Sequence, residues 1–190
     1  MFKKKISLIS LCLLIACLAL SACTSNSSGT FEGLPDGYGR ADMSGYSTMS
    51  DPEHIYISAA DPDKFVSDLT DPSVSGVFYI GYPSCPFCNQ AVPIMNEVAK
   101  AEGKWVRYLD ASSVDFSSDI YDRLMEIFEG TSVLDDGEFY VPQMIAIKNG
   151  KVVGNHLSLT DDYTTSQGTI TASQRKEVAS SYQNLFKLVK

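Results

Sequence analysis

Histidine is nearly absent from this chain: its 190 residues contain two, His54 and His156, and a single tryptophan, Trp105. Positive charge is also short, with 15 Lys and Arg against 23 Asp and Glu and a formal charge of −8. So acidic a balance disfavours nucleic acid and anionic lipid as partners. Two histidines leave few nitrogen ligands for a metal such as zinc, which takes four ligands in structural sites. No apolar run reaches the roughly 20 residues that a membrane-spanning helix needs. The composition that remains, 44% hydrophobic and 20% charged, suits a globular core and argues against wholesale disorder.

The longest apolar run, Ile6 to Leu20, follows three lysines and precedes the small residues Ser21 and Ala22. This is the order of a secretory signal, expected over residues 1–22; an uncleaved anchor is the alternative. The junction Leu20-Ser21-Ala22-Cys23 resembles the lipobox of bacterial lipoproteins. That resemblance implies cleavage before Cys23 and attachment of lipid to it, which anchors a protein to a membrane without spanning it. Cys12 and Cys17 leave with the signal. Loss of Lys3, Lys4 and Lys5 leaves 12 basic and 23 acidic side chains, a formal charge of −11. Residues 23–52, rich in Ser, Gly, Thr and Asp, read as a lipid-attached flexible tether. Phe31, Tyr38 and Tyr46 are scattered within it. A single domain is expected over 53–190.

Within that domain the apolar pattern alternates between strand and helix. His54–Ser58 is β-prone. Asp61 and Pro62 open a short helix to about Leu69, as N-cap and first helical residue. Gly76–Tyr82 is a continuous apolar run, expected of a strand buried on both faces. A helix follows from Pro86 to about Ala101, then a strand over Lys104–Asp110. Ser117 or Ser118 caps a helix whose stripe is Ile120, Leu124, Ile127 and Phe128, ending near Gly130. Val141–Lys148 is a strand entered through a proline, Asn149-Gly150 a hairpin turn, and Lys151–Gly154 the return strand. Thr171 and Gln174 resemble a capping box for a last helix carrying Val178, Tyr182, Leu185, Phe186 and Val189. The order β-α-β-α-β-α-β-β-α predicts an α/β fold: a central mixed sheet with helices on both faces.

Chemistry concentrates at Cys85-Pro86-Phe87-Cys88, where a buried strand gives way to a helix. Cys85 falls at a helix N-terminus, beside unpaired N–H groups and the positive end of the macrodipole. Both favour a thiolate, the attacking species in disulfide exchange. Cys88, one turn later, is placed to resolve a mixed disulfide, with Cys85 the exposed nucleophile and Cys88 more buried. A lone Cys-x-x-Cys is also compatible with half a zinc site or a structural disulfide. Zinc needs two further ligands, and neither histidine has the spacing for it. A disulfide across so small a loop gains little entropic stabilisation. No metal and no cofactor are expected.

Three features together resemble the thioredoxin superfamily. They are the strand, Cys-x-x-Cys and helix; Pro93, five residues after Cys88; and Val141-Pro142 opening a strand that runs into Lys148-Asn-Gly-Lys151. The resemblance implies a thioredoxin-like fold, a cis Val141–Pro142 bond facing the cysteines, and a substrate chain laid along Pro86, Phe87 and the backbone of Val141. Tyr79–Cys88 is similar to the site segment of thioredoxin-like proteins that accompany bacteriocin export in Gram-positive bacteria. There are departures: Ser84 replaces the usual tryptophan, Tyr79 the buried acid, and Pro-Phe the Gly-Pro dipeptide. The long connection from His156 to Thr171 exceeds an ordinary loop and is expected to shape the substrate groove; a disordered surface insertion is the alternative.

The expected function is extracytoplasmic thiol–disulfide exchange on exported proteins, with Cys85 and Cys88 as the redox pair and Pro142 beside them. A membrane redox partner would reset the pair, and the Pro-Phe dipeptide and missing acid favour oxidation or isomerisation over reduction. The other class is a non-catalytic binding lipoprotein or exporter subunit that uses the same groove. The lipid anchor is checked by membrane fractionation: Cys23→Ala is expected to release the protein from the membrane, and a variant that still sediments with it rules the attachment out.

Overall fold

A computed structural model describes residues 33–190; residues 1–32, with the signal, the lipid site Cys23 and the start of the tether, lie outside the described residues. Six strands form one sheet: β1 (Tyr38–Arg40), β2 (Tyr56–Ala59), β3 (Gly76–Gly81), β4 (Val106–Asp110), β5 (Gln143–Lys148) and β6 (Lys151–Leu157). Four helices connect them: α1 (Pro62–Asp68), α2 (Pro86–Glu102), α3 (Ser118–Phe128) and α4 (Ala172–Leu188). Among the described residues no helix is long and apolar enough to cross a membrane.

The sheet order is β1-β2-β4-β3-β5-β6. β4 runs parallel to both β2 and β3, because a helix returns the chain each time; β5 and β6 pair antiparallel, as a hairpin must. β3 is central. Val77 and Tyr79 face one layer, with α2 and α4, while Phe78 and Ile80 face the other, with α1 and α3. All four are buried. The sheet is therefore mixed and flanked by helices on both faces, as the order of apolar segments predicts.

Local sequence accounts for the element ends. The Asp61 carboxylate accepts the Asp63 N–H at 3.0 Å and Pro62 opens α1. Ser117 caps α3, and Thr171 with Gln174 forms the reciprocal capping box at α4. Gly103 ends α2 in the left-handed conformation at φ +64°. Asn149 and Gly150 both take positive φ, as a tight hairpin with the twist of its strands requires.

Three expectations are corrected. The flexible tether is not the state of residues 33–52. β1 pairs antiparallel with β2, and Tyr38, Ala41, Met43 and Tyr46 are buried. The Tyr38 hydroxyl donates to buried Asp68 at 3.0 Å, which also pairs with Lys64 at 2.5 Å. The domain therefore begins before residue 53, since isolated apolar side chains in a turn-rich segment find a site on the sheet. Second, the return strand β6 runs to Leu157, because Asn155, His156 and Leu157 keep pairing with Ile145, Met144 and Gln143. A bulge at Val153, between the Ile147–Val152 and Ala146–Gly154 pairs, hides this continuity from a simple two-residue period. Third, β5 starts at Gln143 rather than Val141, since Pro142 has no N–H for the ladder.

Tyr46 is 1% exposed. Truncating a buried aromatic costs about 3–5 kcal/mol. Urea denaturation of Tyr46→Ala is therefore expected to show a loss of that order; a loss within about 0.5 kcal/mol, as at an unpacked surface position, would return residues 33–52 to the tether.

Candidate active site

Three local features place Cys85. β3 ends at Gly81, and the chain turns through Tyr82, Pro83 and Ser84, with the Cys85 N–H donating to the Tyr82 carbonyl at 3.2 Å. Cys85 is the N-cap of α2, and its backbone is extended at φ −76° and ψ 119°. Pro86 is preset for the first helical position and has no N–H to satisfy. The Asn89 side chain braces this turn by donating to the carbonyls of Pro83 and Cys85.

In this geometry sulfur does the work of a capping oxygen. Cys85 Sγ accepts the Cys88 backbone N–H at 3.1 Å. The Cys88 thiol also donates to it, and the Phe87 N–H adds a further hydrogen bond; together they outweigh burial and hold the Cys85 thiol below its ordinary range. The partner moves the other way. The hydrogen bond to Cys85 and burial together push the Cys88 thiol well up. When the pair loses one proton, the negative charge therefore falls on Cys85 and the remaining proton on Cys88.

Cys85 is expected to be exposed but is only 4% exposed, and Cys88 is 0%. The cap turns Sγ back over the first turn of α2, into the apolar cluster that β3, β5 and α4 share with it. Tyr82, Phe87 and Val141 pack on the same apolar cluster. Both cysteines are free thiols.

Pro93 lies inside α2. It has no N–H to offer the carbonyl of Asn89, and the Thr48 hydroxyl donates to that carbonyl instead. The Ser47 hydroxyl donates to the Asn89 side chain at 3.1 Å, and the Tyr56 hydroxyl to the Val92 carbonyl at 2.7 Å. Residues expected in the tether thus complete the helix that carries the cysteines.

The Val141–Pro142 bond is cis. β5 pairs Gln143 with Ile80, so Val141 and Pro142 lie beside the end of β3, at the turn leading to Cys85. The Pro142 carbonyl accepts the Ser158 N–H at 2.9 Å, tying the start of the long connection to the same place. That connection is ordered. Leu159, Tyr163 and Ile170 are buried, a single 3-10 turn spans Thr165–Gln167, and Tyr163 packs edge-to-face on Phe87 with ring centres 5.2 Å apart. Pro86 and Tyr140 are exposed. His54 stands ahead of β2 against Tyr56, and His156 lies in β6 against Tyr182. Among the described residues no three potential metal ligands gather.

Sequence reasoning missed Tyr46 and Tyr108 as members of the site. Their hydroxyls join that of Tyr79 beneath the cysteines, with Tyr46 3.1 Å from Tyr79 and 3.2 Å from Tyr108. No spacing in the chain could reveal this, because the three come from a turn and two different strands.

The strand order β2-β4-β3-β5-β6, Cys-x-x-Cys at the head of α2 and a cis-proline before β5 make up a thioredoxin-like arrangement. No family model matches the chain, and no curated protein does. Among solved structures it is similar to a putative oxidoreductase with a thioredoxin fold, at 16% identity over 65% of this chain and 93% of that one, with a TM-score of 0.44. It is also similar to oxidized thioredoxin O2 from Arabidopsis thaliana, at 15% identity over 74% and 100% of the two chains and a TM-score of 0.47. A third is thioredoxin from Aeropyrum pernix, at 13% identity over 66% and 87%, with a TM-score of 0.41.

Because only the thiolate is alkylated, the rate of Cys85 alkylation against pH reads its ionisation. Its midpoint is expected below the ordinary cysteine value of about 8.5. Cys88→Ala removes the thiol donor but keeps the N–H, so the midpoint should rise. A wild-type midpoint at or above the ordinary value would refute the cap geometry.

Proposed function

We propose that this chain is an extracytoplasmic thiol–disulfide oxidoreductase acting on exported proteins, lipid-anchored through Cys23. The observation that carries the reading is the asymmetric pair at the head of α2. Cys85 is stabilised as a thiolate, and Cys88 holds its proton one turn away. In the reducing direction Cys85 S⁻ attacks a substrate disulfide. A Cys85–substrate bond forms, the substrate S–S bond breaks, and one substrate thiolate leaves. Cys88 then loses its proton and attacks Cys85 Sγ, which releases the second substrate sulfur and leaves a Cys85–Cys88 disulfide. Run in reverse, the same steps oxidise a substrate dithiol. A stabilised Cys85 thiolate is also a better leaving group, so the oxidised pair gives up its disulfide more readily. This supports oxidation or isomerisation, with a membrane redox partner to reset the pair.

The substrate would lie along the rim formed by Pro86, Phe87, Tyr140 and Val141. Tyr163 from the long connection closes one side against Phe87. An aromatic, apolar rim suits an extended apolar chain.

One observation favours a second reading. Cys85 is buried, as it would be in a binding lipoprotein or exporter subunit that keeps the fold without exchange. Refolding of a scrambled disulfide substrate separates the two. The wild type is expected to accelerate it and Cys85→Ser to lose the acceleration; equal behaviour of both leaves the binding reading. In cells that make the protein, Cys88→Ser should trap exported proteins on Cys85 as mixed disulfides, and adding Tyr163→Ala should change which proteins are trapped.

A further inference from the structure

We propose that residues 159–169 form a gate over the redox pair, latched by the Tyr163 ring on Phe87, and that a substrate reaches Cys85 only when Tyr163 lets go. The inference rests on the exchange reading of Cys85 and Cys88. It answers the one observation that speaks against that reading. Cys85 is the attacking sulfur, yet it is 4% exposed. Exchange needs a substrate sulfur brought against Cys85 Sγ. A sulfur so enclosed cannot meet a protein disulfide until part of its cover moves.

The elements around the pair differ in how firmly they are held. β3 and β5 are paired on both sides, and α2 is buried along one face. The segment between β6 and α4 is held mainly at its ends. At the front, the Ser158 N–H donates to the Pro142 carbonyl at 2.9 Å, and His156 Nε2 donates to the Leu159 carbonyl at 3.1 Å. At the rear, the Ile170 N–H donates to the Gln90 side chain at 3.1 Å, and Thr171 opens the capping box of α4. One pin stands at the cis-proline and the other on the second turn of α2, so the span between them crosses the head of α2. From Thr160 to Thr169, Tyr163 is the one buried residue. Its ring meets Phe87, the residue before Cys88, edge-to-face with centres 5.2 Å apart. Leu159, Tyr163 and Ile170 belong to the same apolar cluster as both cysteines.

The span is built to move as a piece. The Tyr163 hydroxyl donates to the Gly168 carbonyl at 2.8 Å, which folds the span back on itself. Its ties to α4 run through polar groups: Gln174 donates to Asp162 at 2.9 Å, and Gln167 to Gln174 at 2.8 Å. Asp162 and Gln167 are exposed, so water readily replaces these bonds. Ser158 and Gly168 both hold positive φ, +63° and +77°, and mark the turns at the two ends. A β-carbon at Gly168 would meet nothing within 4 Å, so this glycine serves the turn and not the packing. A few such positions absorb the dihedral change when a segment opens and closes. A latch of one aromatic contact fits a lid, which must come from the less stable parts of a fold. When it opens, Phe87 loses its ring partner, and an apolar side chain of the incoming substrate takes that place.

Alkylation of the native protein by iodoacetamide measures how often Cys85 is uncovered. At about pH 9 ionisation of Cys85 no longer limits the rate, because only the thiolate reacts and Cys85 is already in that form. Tyr163→Ala is expected to raise the rate roughly tenfold, the factor that loss of an aromatic pair produces. Tyr163→Phe keeps the ring on Phe87 and should keep most of the protection. Leu124→Ala, in the α1–α3 layer, weakens the whole fold without touching the gate and should react as the wild type does. An unchanged rate in Tyr163→Ala overturns the gate. So does an equal gain in Leu124→Ala, which would trace the exposure to global unfolding, and so does a wild-type rate as fast as that of the urea-unfolded chain. Alkylation does not depend on exchange. A gain in Tyr163→Ala beside a wild type that fails to accelerate refolding of a scrambled substrate therefore keeps the cover over Cys85 and overturns the exchange reading.

Discussion

β3 has no solvent face, and that constraint organises the molecule. Val77, Phe78, Tyr79 and Ile80 are buried in succession, so the strand needs a helical layer above and below it and a paired strand on each side. The four helices supply the layers and β4 and β5 the pairing. A strand so enclosed ends at a defined place, and the chain can leave it only where Gly81 admits the Tyr79 ring beneath the turn. The next element starts five residues later with Cys85 as its cap. The position of the thiols is thus a consequence of where the most buried strand stops.

The electrostatics of the pair follow from the same turn. A helix N-terminus offers N–H groups that lack intrahelical partners, and here those of Cys88 and Phe87 turn to sulfur. The sulfur that receives them gains stability as an anion. Its neighbour, one turn inside the helix and without access to water, is driven the other way. Two residues of one type acquire opposite roles through a displacement of one helical turn.

The segment before β2 shows how far local pattern reaches. Its Ser, Gly and Asp content and lack of period read as a tether, since no face of it can be seen as apolar in isolation. In the structure Tyr38 reaches Asp68, Tyr46 reaches Tyr79 and Tyr108, and Thr48 takes the carbonyl that Pro93 leaves without a donor. Each contact joins residues at least 30 positions apart in the chain, so none leaves a periodic trace. The long connection after β6 behaves alike: Leu159, Tyr163 and Ile170 are buried one at a time in a polar stretch.

Everything that depends on near neighbours was determined by the sequence alone. The caps at Asp61, Ser117 and Thr171, the Asn149-Gly150 turn, the doubly apolar β3 and the placing of Cys85-Pro86-Phe87-Cys88 at a helix start all act within a few residues, where backbone chemistry decides. The tertiary structure decided the burial of Cys85, the true start of the domain, the length of β6 and the gathering of Tyr46, Tyr79 and Tyr108. Those depend on which distant segments meet, and packing sets that only once the whole sheet has closed around its central strand.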